Sequence, residues 1–287
     1  MNEHIASPLL SVPSLYVVAT PLGNLRDLSP RARDTLAAVD VVAAEDTRHS
    51  QKLLDAFGIR ARRLLAVHRH NEQQAAGQVI EWLAQGRHVA LITDAGTPAI
   101  SDPGARLVAR VREAGYTVSP VPGACAAAAA LSVAGIVEGG FRFIGFLPAK
   151  AASRRTALMA LTSERDAMVF YEAPHRVMMC VADMAEVFGS GREILIAREL
   201  TKLHEEIAMM PLMDAGAWFD ADANRARGEF VLIVRGAEAS ERIDAAALRV
   251  LGLLLDELPL RTAVRLAAEI TGAPRKGLYA HALERGR

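Results

Sequence analysis

The sequence predicts an α/β protein of two sheet-bearing domains with a helical tail, and three observations carry that expectation. From Leu15 to Pro120 short apolar runs alternate with segments of helical periodicity, the pattern of a mostly parallel sheet covered by helices. From Phe141 to Arg235 strand patterns outnumber helical ones, which points to a mixed, partly antiparallel sheet. After Gly236 only helical patterns remain. The expected organisation is a flexible tail at 1–13, an α/β domain at 14–136, a mixed domain at 137–237 and a helical domain at 238–287.

Each element has a local reason. Leu15 to Ala19 reads as a strand, followed by the loop Thr20-Pro21-Leu22-Gly23-Asn24-Leu25; Ser29 then offers an N-cap and Pro30 a first-turn residue for a helix over Arg31 to Ala38. Strands at Val41–Ala44 and Arg63–Val67 alternate with helices at Gln51–Phe57 and Gln73–Gln85. His88 to Thr93 is an apolar run ending in Asp94-Ala95-Gly96-Thr97-Pro98 and Ser101-Asp102-Pro103-Gly104. Asp102 is the expected N-cap, and Pro103 the first residue, of a helix ending at Ala114. Thr117 to Val121 is a third strand running into a Pro/Gly loop, Pro122-Gly123-Ala124-Cys125. The small residues of Ala124–Ala134 then suit a helix that packs its backbone close to its neighbours.

A linker around Val137-Glu138-Gly139-Gly140 leads to strands at Phe141–Gly145, Met168–Tyr171, Ile194–Arg198, Ile207–Met210 and Phe230–Arg235, with helices at Ser153–Thr162 and Arg176–Phe188. In the tail, Asp244 caps a helix to Leu258, Thr262–Thr271 is helical with Gly272 as its C′ residue, and Lys276–Leu283 closes the chain. Residues 267–279 read either as a helix-turn-helix or as a small bundle that only packs.

Composition narrows the function. The 287 residues are 51% apolar and 23% charged, a globular profile too long for one small core. No apolar run reaches the roughly 18 residues of a membrane span, and the first 13 residues lack a signal peptide's basic start and apolar centre. Cys125 and Cys180 stand far apart, which fits a reducing compartment and argues against a disulfide framework or thiolate metal site. No histidine pair has a metalloprotease spacing; His68 and His70 suit one face of a strand in a surface or substrate-contact role, and no metal is expected. Net charge is zero, but Arg60, Arg62, Arg63 and Arg69, and again Arg142, Lys150, Arg154 and Arg155, form acid-free clusters. These are either phosphate contacts or solvated faces.

Three strand ends carry loops of glycine, proline and short side chains, which admit a ligand close to the main chain and together suggest one pocket. The chain lacks G-x-G-x-x-G after its first strand, a Walker loop and G-x-S-x-G; Gly189-Ser190-Gly191 lies between a helix and a strand, the wrong place for a dinucleotide cradle. Backbone donors without a phosphate cradle suit a ligand with amide, carboxylate and adenine groups, such as S-adenosylmethionine.

Thr20-Pro21-Leu22-Gly23-Asn24-Leu25, Glu45-Asp46-Thr47-Arg48, His70-Asn71-Glu72 and Asp94-Ala95-Gly96-Thr97-Pro98 resemble motifs of the tetrapyrrole-methylase superfamily, more narrowly its branch acting on small-subunit ribosomal RNA. So do Gly145-Phe146-Leu147-Pro148, Tyr171-Glu172-Ala173-Pro174-His175-Arg176, Ala197-Arg198-Glu199-Leu200-Thr201-Lys202 and Gly228-Glu229-Phe230-Val231. The ordered set spans the chain from Leu15 onward.

The resemblance implies a two-domain class III methyltransferase, a cytoplasmic homodimer with S-adenosylmethionine between its domains. The implied reaction is 2′-O-methylation of a cytidine in the decoding region of 16S rRNA, within an assembled or assembling 30S subunit. A tetrapyrrole or other small-molecule methylase and a non-catalytic nucleic-acid regulator are the alternatives. Where the family often has Pro-Gly-Pro, this chain has Pro122-Gly123-Ala124, which frees an N–H.

The expected cofactor residues are Pro21, Gly23, Gly96, Thr97, Pro98, Gly123 and Cys125, with Tyr171 closing over them. Glu45, Asp46, Arg48, Asn71, Glu72, Glu199 and Lys202, at strand ends or in loops, are the candidates for substrate contact and proton handling. Glu45, Asp46 and Arg48 have a second reading as an ion pair and helix cap. Arg62, Arg63, Lys150, Arg154 and Arg155 are the candidate RNA phosphate contacts.

Overall fold

A computed structural model describes residues 12–137, 139–237 and 245–285. The chain divides into two compact units, Met1–Arg235 and Gly236–Arg287, and both sheets lie in the first.

Strands β1 (Ser14–Val18), β2 (Val41–Ala44), β3 (Leu64–Ala66), β4 (Val89–Ile92) and β5 (Thr117–Val121) form an all-parallel sheet in the order β3-β2-β4-β1-β5. Helices α1 (Pro30–Ala38) and α2 (Thr47–Ala56) cover one face, packing Leu36 and Leu54 on Val42, Ala44 and Ile92. Helices α3 (Glu72–Ala84) and α4 (Ala105–Glu113) cover the other, packing Val79, Leu83 and Leu107 on Ala43 and Leu91. Burial on both faces explains why β2 and β4 read as unbroken apolar runs. From β2 the chain leaves through α2 toward β3; from β4 it leaves through α4, on the opposite face, toward β5. The connections diverge, so a crevice opens between the carboxyl ends of β2 and β4, the usual ligand position in such sheets.

The helix starts show what local sequence controls. Ser29 Oγ accepts from the Ala32 N–H at 3.1 Å with Pro30 in the first turn, as expected. α2 begins four residues before its expected start because Asp46 Oδ1 accepts from the Arg48 N–H at 2.8 Å. The expectation for Asp102 and Pro103 is corrected: α4 begins at Ala105, after Gly104 (φ 125°), with no side-chain cap from its own loop. Its N-terminus is served by Glu72, whose Oε2 accepts from the Arg106 N–H at 3.0 Å.

The second sheet, β6-β7-β10-β8-β9, contains β6 (Phe141–Phe146), β7 (Ala167–Glu172), β8 (Glu193–Arg198), β9 (Glu206–Pro211) and β10 (Phe230–Val234). Only β6 and β7 pair in parallel. α5 (Ala126–Ser132) lies on one face, where Ala127 and Ala130 meet Val169, Val231 and Ile233; methyl-sized side chains permit that close approach. α6 (Ala151–Met159), α7 (Val177–Phe188) and α8 (Leu212–Asp220) cover the other around Phe170, Met168 and Leu232. α8 escaped sequence reading: it follows β9 without a loop, and only Leu212, Ala215 and Phe219 mark its buried side.

Arg154 is a second correction. Its side chain is 3% exposed and pairs with Asp183 at 2.6 Å, while Arg155 Nε donates to the other Asp183 oxygen at 2.7 Å. Arg154 thus pins α6 to α7 and is removed from RNA contact.

The tail unit is a three-helix bundle, α9 (Ala245–Leu255), α10 (Leu260–Thr271) and α11 (Arg275–Arg285), around Leu251, Val264, Ala267 and Leu278. Gly272 ends α10 in the left-handed region (φ 69°), as expected; the Asp244 cap and Glu138 within the expected linker fall outside the described residues, as do residues 1–11. Removing one partner of a buried ion pair strands the other: Asp183→Ala leaves the buried Arg154 without its carboxylate and is expected to destabilise the protein by roughly 3–5 kcal/mol, read from urea denaturation.

Candidate active site

The loops after β1, β4 and β5 are tied to one another. Thr20 and Gly96 exchange two backbone hydrogen bonds, Thr20 N–H to Gly96 O at 2.8 Å and Gly96 N–H to Thr20 O at 3.0 Å. Thr20 Oγ1 also donates to Thr93 O at 3.0 Å, and Thr97 Oγ1 donates to Ala124 O at 3.0 Å. Gly96 has φ 81°, and a Cβ there would meet Leu22 Cδ2 at 3.1 Å, so any other residue would be strained and would crowd Leu22.

These loops form one wall of a cavity of about 420 Å³; the ends of β7 and β8, and the start of β10, form the other. Glu45, Asp94, Asp102, Glu172 and Glu229 line it, and among the described residues no lysine, arginine or histidine does. Thr93 Oγ1 donates to Glu45 Oε2 at 2.7 Å, and Asp94 Oδ1 accepts from the Asp46 N–H at 3.2 Å. Burial, reinforced by the negative charge of Glu45, pushes the Asp102 carboxyl up to about 6. Burial raises Asp94 as well, against the Asp46 hydrogen bond and with help from the Glu45 charge. Glu172 is answered from outside the cavity by Arg176 at 3.1 Å.

On the second wall, the Tyr171 hydroxyl accepts from the Ala127 N–H at 3.1 Å, capping α5, and burial raises its pKa. Lys202 Nζ reaches Glu199 Oε1 at 2.8 Å and Glu229 Oε2 at 2.9 Å. Burial opposes the charge on Glu199, but the bonds from Lys202 and the Glu229 N–H outweigh it and keep the carboxyl below its ordinary range. The Lys202 stem lies where a Cβ on Gly23 would stand, so this cluster also seats the second half against the first loop. Arg198, itself buried, fastens the adjoining loops by donating to Arg227 O at 2.7 Å and His204 O at 3.2 Å.

Of the expected residues, Glu45, Gly96, Thr97, Cys125 and Tyr171 line the cavity. Pro21, Gly23, Pro98 and Gly123 are not among its lining; Gly123 packs where a Cβ would meet Ala19 Cβ at 3.0 Å. Asp46 caps α2 and pairs with exposed Arg48 at 3.6 Å. Asn71 holds the turn after β3, accepting from the His68 N–H at 2.7 Å and donating to Ala66 O at 2.9 Å. His68 and His70 sit in that turn rather than on a strand. Glu72 caps α4, and Lys202 reaches the cavity wall through Glu229. Arg62 pairs with Asp40 at 3.0 Å, Arg63 stacks 5.4 Å above the Trp82 ring centre, Arg155 also meets Glu186 at 3.5 Å, and Lys150 is exposed where α6 starts. Sequence reading missed Asp102 as a cavity group because an acid before a proline looks like a cap. It missed Ala126, Phe146, Glu172, Leu200 and Glu229 because only the second sheet's placement brings them here.

A parallel α/β half and a mixed half meeting at an acidic cavity define a methylase of the tetrapyrrole-methylase fold. The family described as Tetrapyrrole (Corrin/Porphyrin) Methylases matches residues 14–216, and the RsmI C-terminal HTH domain matches residues 241–286. The fold is shared with the solved methyltransferase CobJ (TM-score 0.59, 21% identity, 82% of this chain and 98% of that one). It is also shared with the cobalt precorrin-4 methyltransferase CbiF (TM-score 0.57, 17% identity, 77% and 94%). The relative named ribosomal RNA small subunit methyltransferase I from Pseudomonas aeruginosa is 52% identical over 279 residues, covering 96% of this chain and 99% of its own length. That of Escherichia coli O157:H7 is 51% identical, covering 94% of each. The chain belongs to the ribosomal RNA small subunit methyltransferase I family, and it is a methyltransferase.

The folded chain holds the Asp102 proton up to about pH 6, whereas an unfolded aspartate releases it near ~4, so stability falls as pH rises between these values. Asp102→Asn is therefore expected to melt above wild type at pH 7.5 and level with it below about pH 4, in ligand-free thermal melts.

Proposed function

We propose that this chain transfers the methyl group of S-adenosylmethionine to the ribose 2′-hydroxyl of a cytidine in the decoding region of 16S rRNA. The observation that carries the donor is the charge of the cavity: among the described residues five carboxylates and no cation line it, and the three outside the ion pairs of Glu172 and Glu229, namely Glu45, Asp94 and Asp102, suit a ligand with a net positive charge and repel phosphate. S-adenosylmethionine, with a sulfonium, an ammonium and one carboxylate, is such a ligand, and the main chain around Gly96, Thr97 and Cys125 is open to its polar groups. Bound there, it supplies a methyl group already activated by the sulfonium charge. Relatives named for small-subunit rRNA support the class of acceptor.

The chain's own work is positioning and exclusion of water. Glu45, anchored by Thr93, orients the hydroxyl and takes its proton. Lys202 holds Glu229 and Glu199 in place while its stem seats against Gly23. Asp46, Asn71 and Glu72 shape the loops, and Arg48, Lys150, Arg62, Arg63 and Arg155 are left for phosphate contact. The helix-turn-helix tail adds a second RNA contact in this reading, and the enzyme works in the cytoplasm on the 30S subunit. It works as a homodimer: β9 is the edge strand of the second sheet and exposes Ile207 and Met209.

Purified protein with labelled donor is expected to methylate 16S rRNA, bare or in 30S subunits, at a cytidine whose 2′-O-methyl group is found by nuclease mapping and mass spectrometry. Label on a nucleobase, or on tetrapyrroles only, refutes the assignment. Glu45→Gln is expected to lower kcat by about 10²-fold or more while donor affinity, measured by calorimetry, changes far less. Met209→Asp is expected to convert the dimer to monomers in sedimentation velocity.

A further inference from the structure

Two large apolar side chains on the cavity lining are turned toward solvent: Ile100 is 40% exposed and Phe146 is 50% exposed. Both owe their position to distorted backbone. Ile100 stands between Ala99 (φ 68°) and Ser101 (φ 67°), two non-glycine residues in the sparsely used left-handed region. Phe146 follows a register shift in the β6–β7 pairing between Phe143 and Gly145, where Gly145 has φ 74°. The distortions meet: a Cβ on Gly145 would lie 2.9 Å from Ser101 Oγ. Arg69 secures the same loop by donating to Ser101 O at 3.0 Å. Tyr171 braces the Phe146 ring at a centroid distance of 5.8 Å, nearly perpendicular. Strain of this kind persists only where the surroundings hold it, and here it keeps hydrophobic surface at the entrance to a reaction chamber.

We infer that Phe146 and Ile100 form a nucleobase-stacking subsite that receives the base of the nucleotide being methylated. The inference rests on the reading of this cavity as a ribose methyltransferase site. An acceptor reaching the cavity past these exposed side chains meets an acidic lining that repels its phosphates, so the base is the neutral, flat part that suits apolar contact. A base leaving its own stack loses stacking energy, and an aromatic face at the entrance restores part of it without reading sequence. Glu45, Asp94 and Asp102 on the first-sheet wall are left for the sulfonium and the hydroxyl.

The test uses the full chain carrying Phe146→Ala, Phe146→Trp or Ile100→Ala, with donor affinity measured by calorimetry and KM and kcat measured on rRNA. Phe146→Ala is expected to raise the KM for RNA about tenfold with donor Kd within about twofold of wild type, which also reports an intact fold. Phe146→Trp is expected to restore KM, and Ile100→Ala to raise it less. An unchanged KM in Phe146→Ala overturns the inference; so does equal weakening of donor binding, which would give the ring to the donor's adenine. Wild-type protein that methylates no RNA overturns the functional reading together with this one, whereas an active wild type beside an unaltered Phe146→Ala overturns the stacking subsite alone.

Discussion

The paired hydrogen bonds between Thr20 and Gly96 are the constraint on which the site depends. They join the loops of two adjacent strands, β1 and β4, at the point where the β2 and β4 connections leave on opposite faces of the sheet. A crevice at a switch point is a property of topology, but a closed wall requires the loops to be locked. Thr20 does this with its N–H, its carbonyl and its hydroxyl at once, and Thr97 extends the tie to the loop after β5. With the first wall rigid, Thr93, Asp94 and Asp102 on the loop after β4 have defined positions, and Glu45, on the loop after β2, takes its place from Thr93.

The second wall is seated rather than built in. Ala127 and Ala130 bring α5 close to the second sheet, and Tyr171 fastens the start of that helix. Across the cavity, Lys202 lies on Gly23 and neutralises two carboxylates, so one side chain sets both the charge and the separation of the halves. A side chain on Gly23 would displace that lysine. The glycine is thus needed for approach by the protein's own second half, in addition to any approach by a ligand.

Concentrating carboxylates in a half-buried cavity works against stability, and the raised Asp102 and Asp94 are the sign of it. Protein cations answer the acids on the second-half side, at Glu172 and Glu229, while Glu45 and Asp94 receive only a hydroxyl and an N–H. The unbalanced charge therefore faces the first-sheet wall, where a cationic donor restores the balance. Stability is made up elsewhere, in the apolar cores on both faces of each sheet and in the Arg154–Asp183 pair.

Local sequence determined most of the elements, because their causes are local: apolar runs for the doubly covered strands, Ser29 and Pro30 for α1, Gly272 for the end of α10. It also marked the three strand-end loops, since glycine, proline and short side chains announce bent backbone wherever they sit. Tertiary structure alone decided what individual acids and bases do. Asp102 faces the cavity because Glu72, 30 positions away, already caps α4. Arg154 is buried because Asp183 stands on the neighbouring helix, and Phe146 reaches the cavity mouth only through a bulge in its pairing with β7. A helix cap, an ion pair and a catalytic carboxylate use the same residue types; which one a residue becomes depends on the partners that folding brings to it.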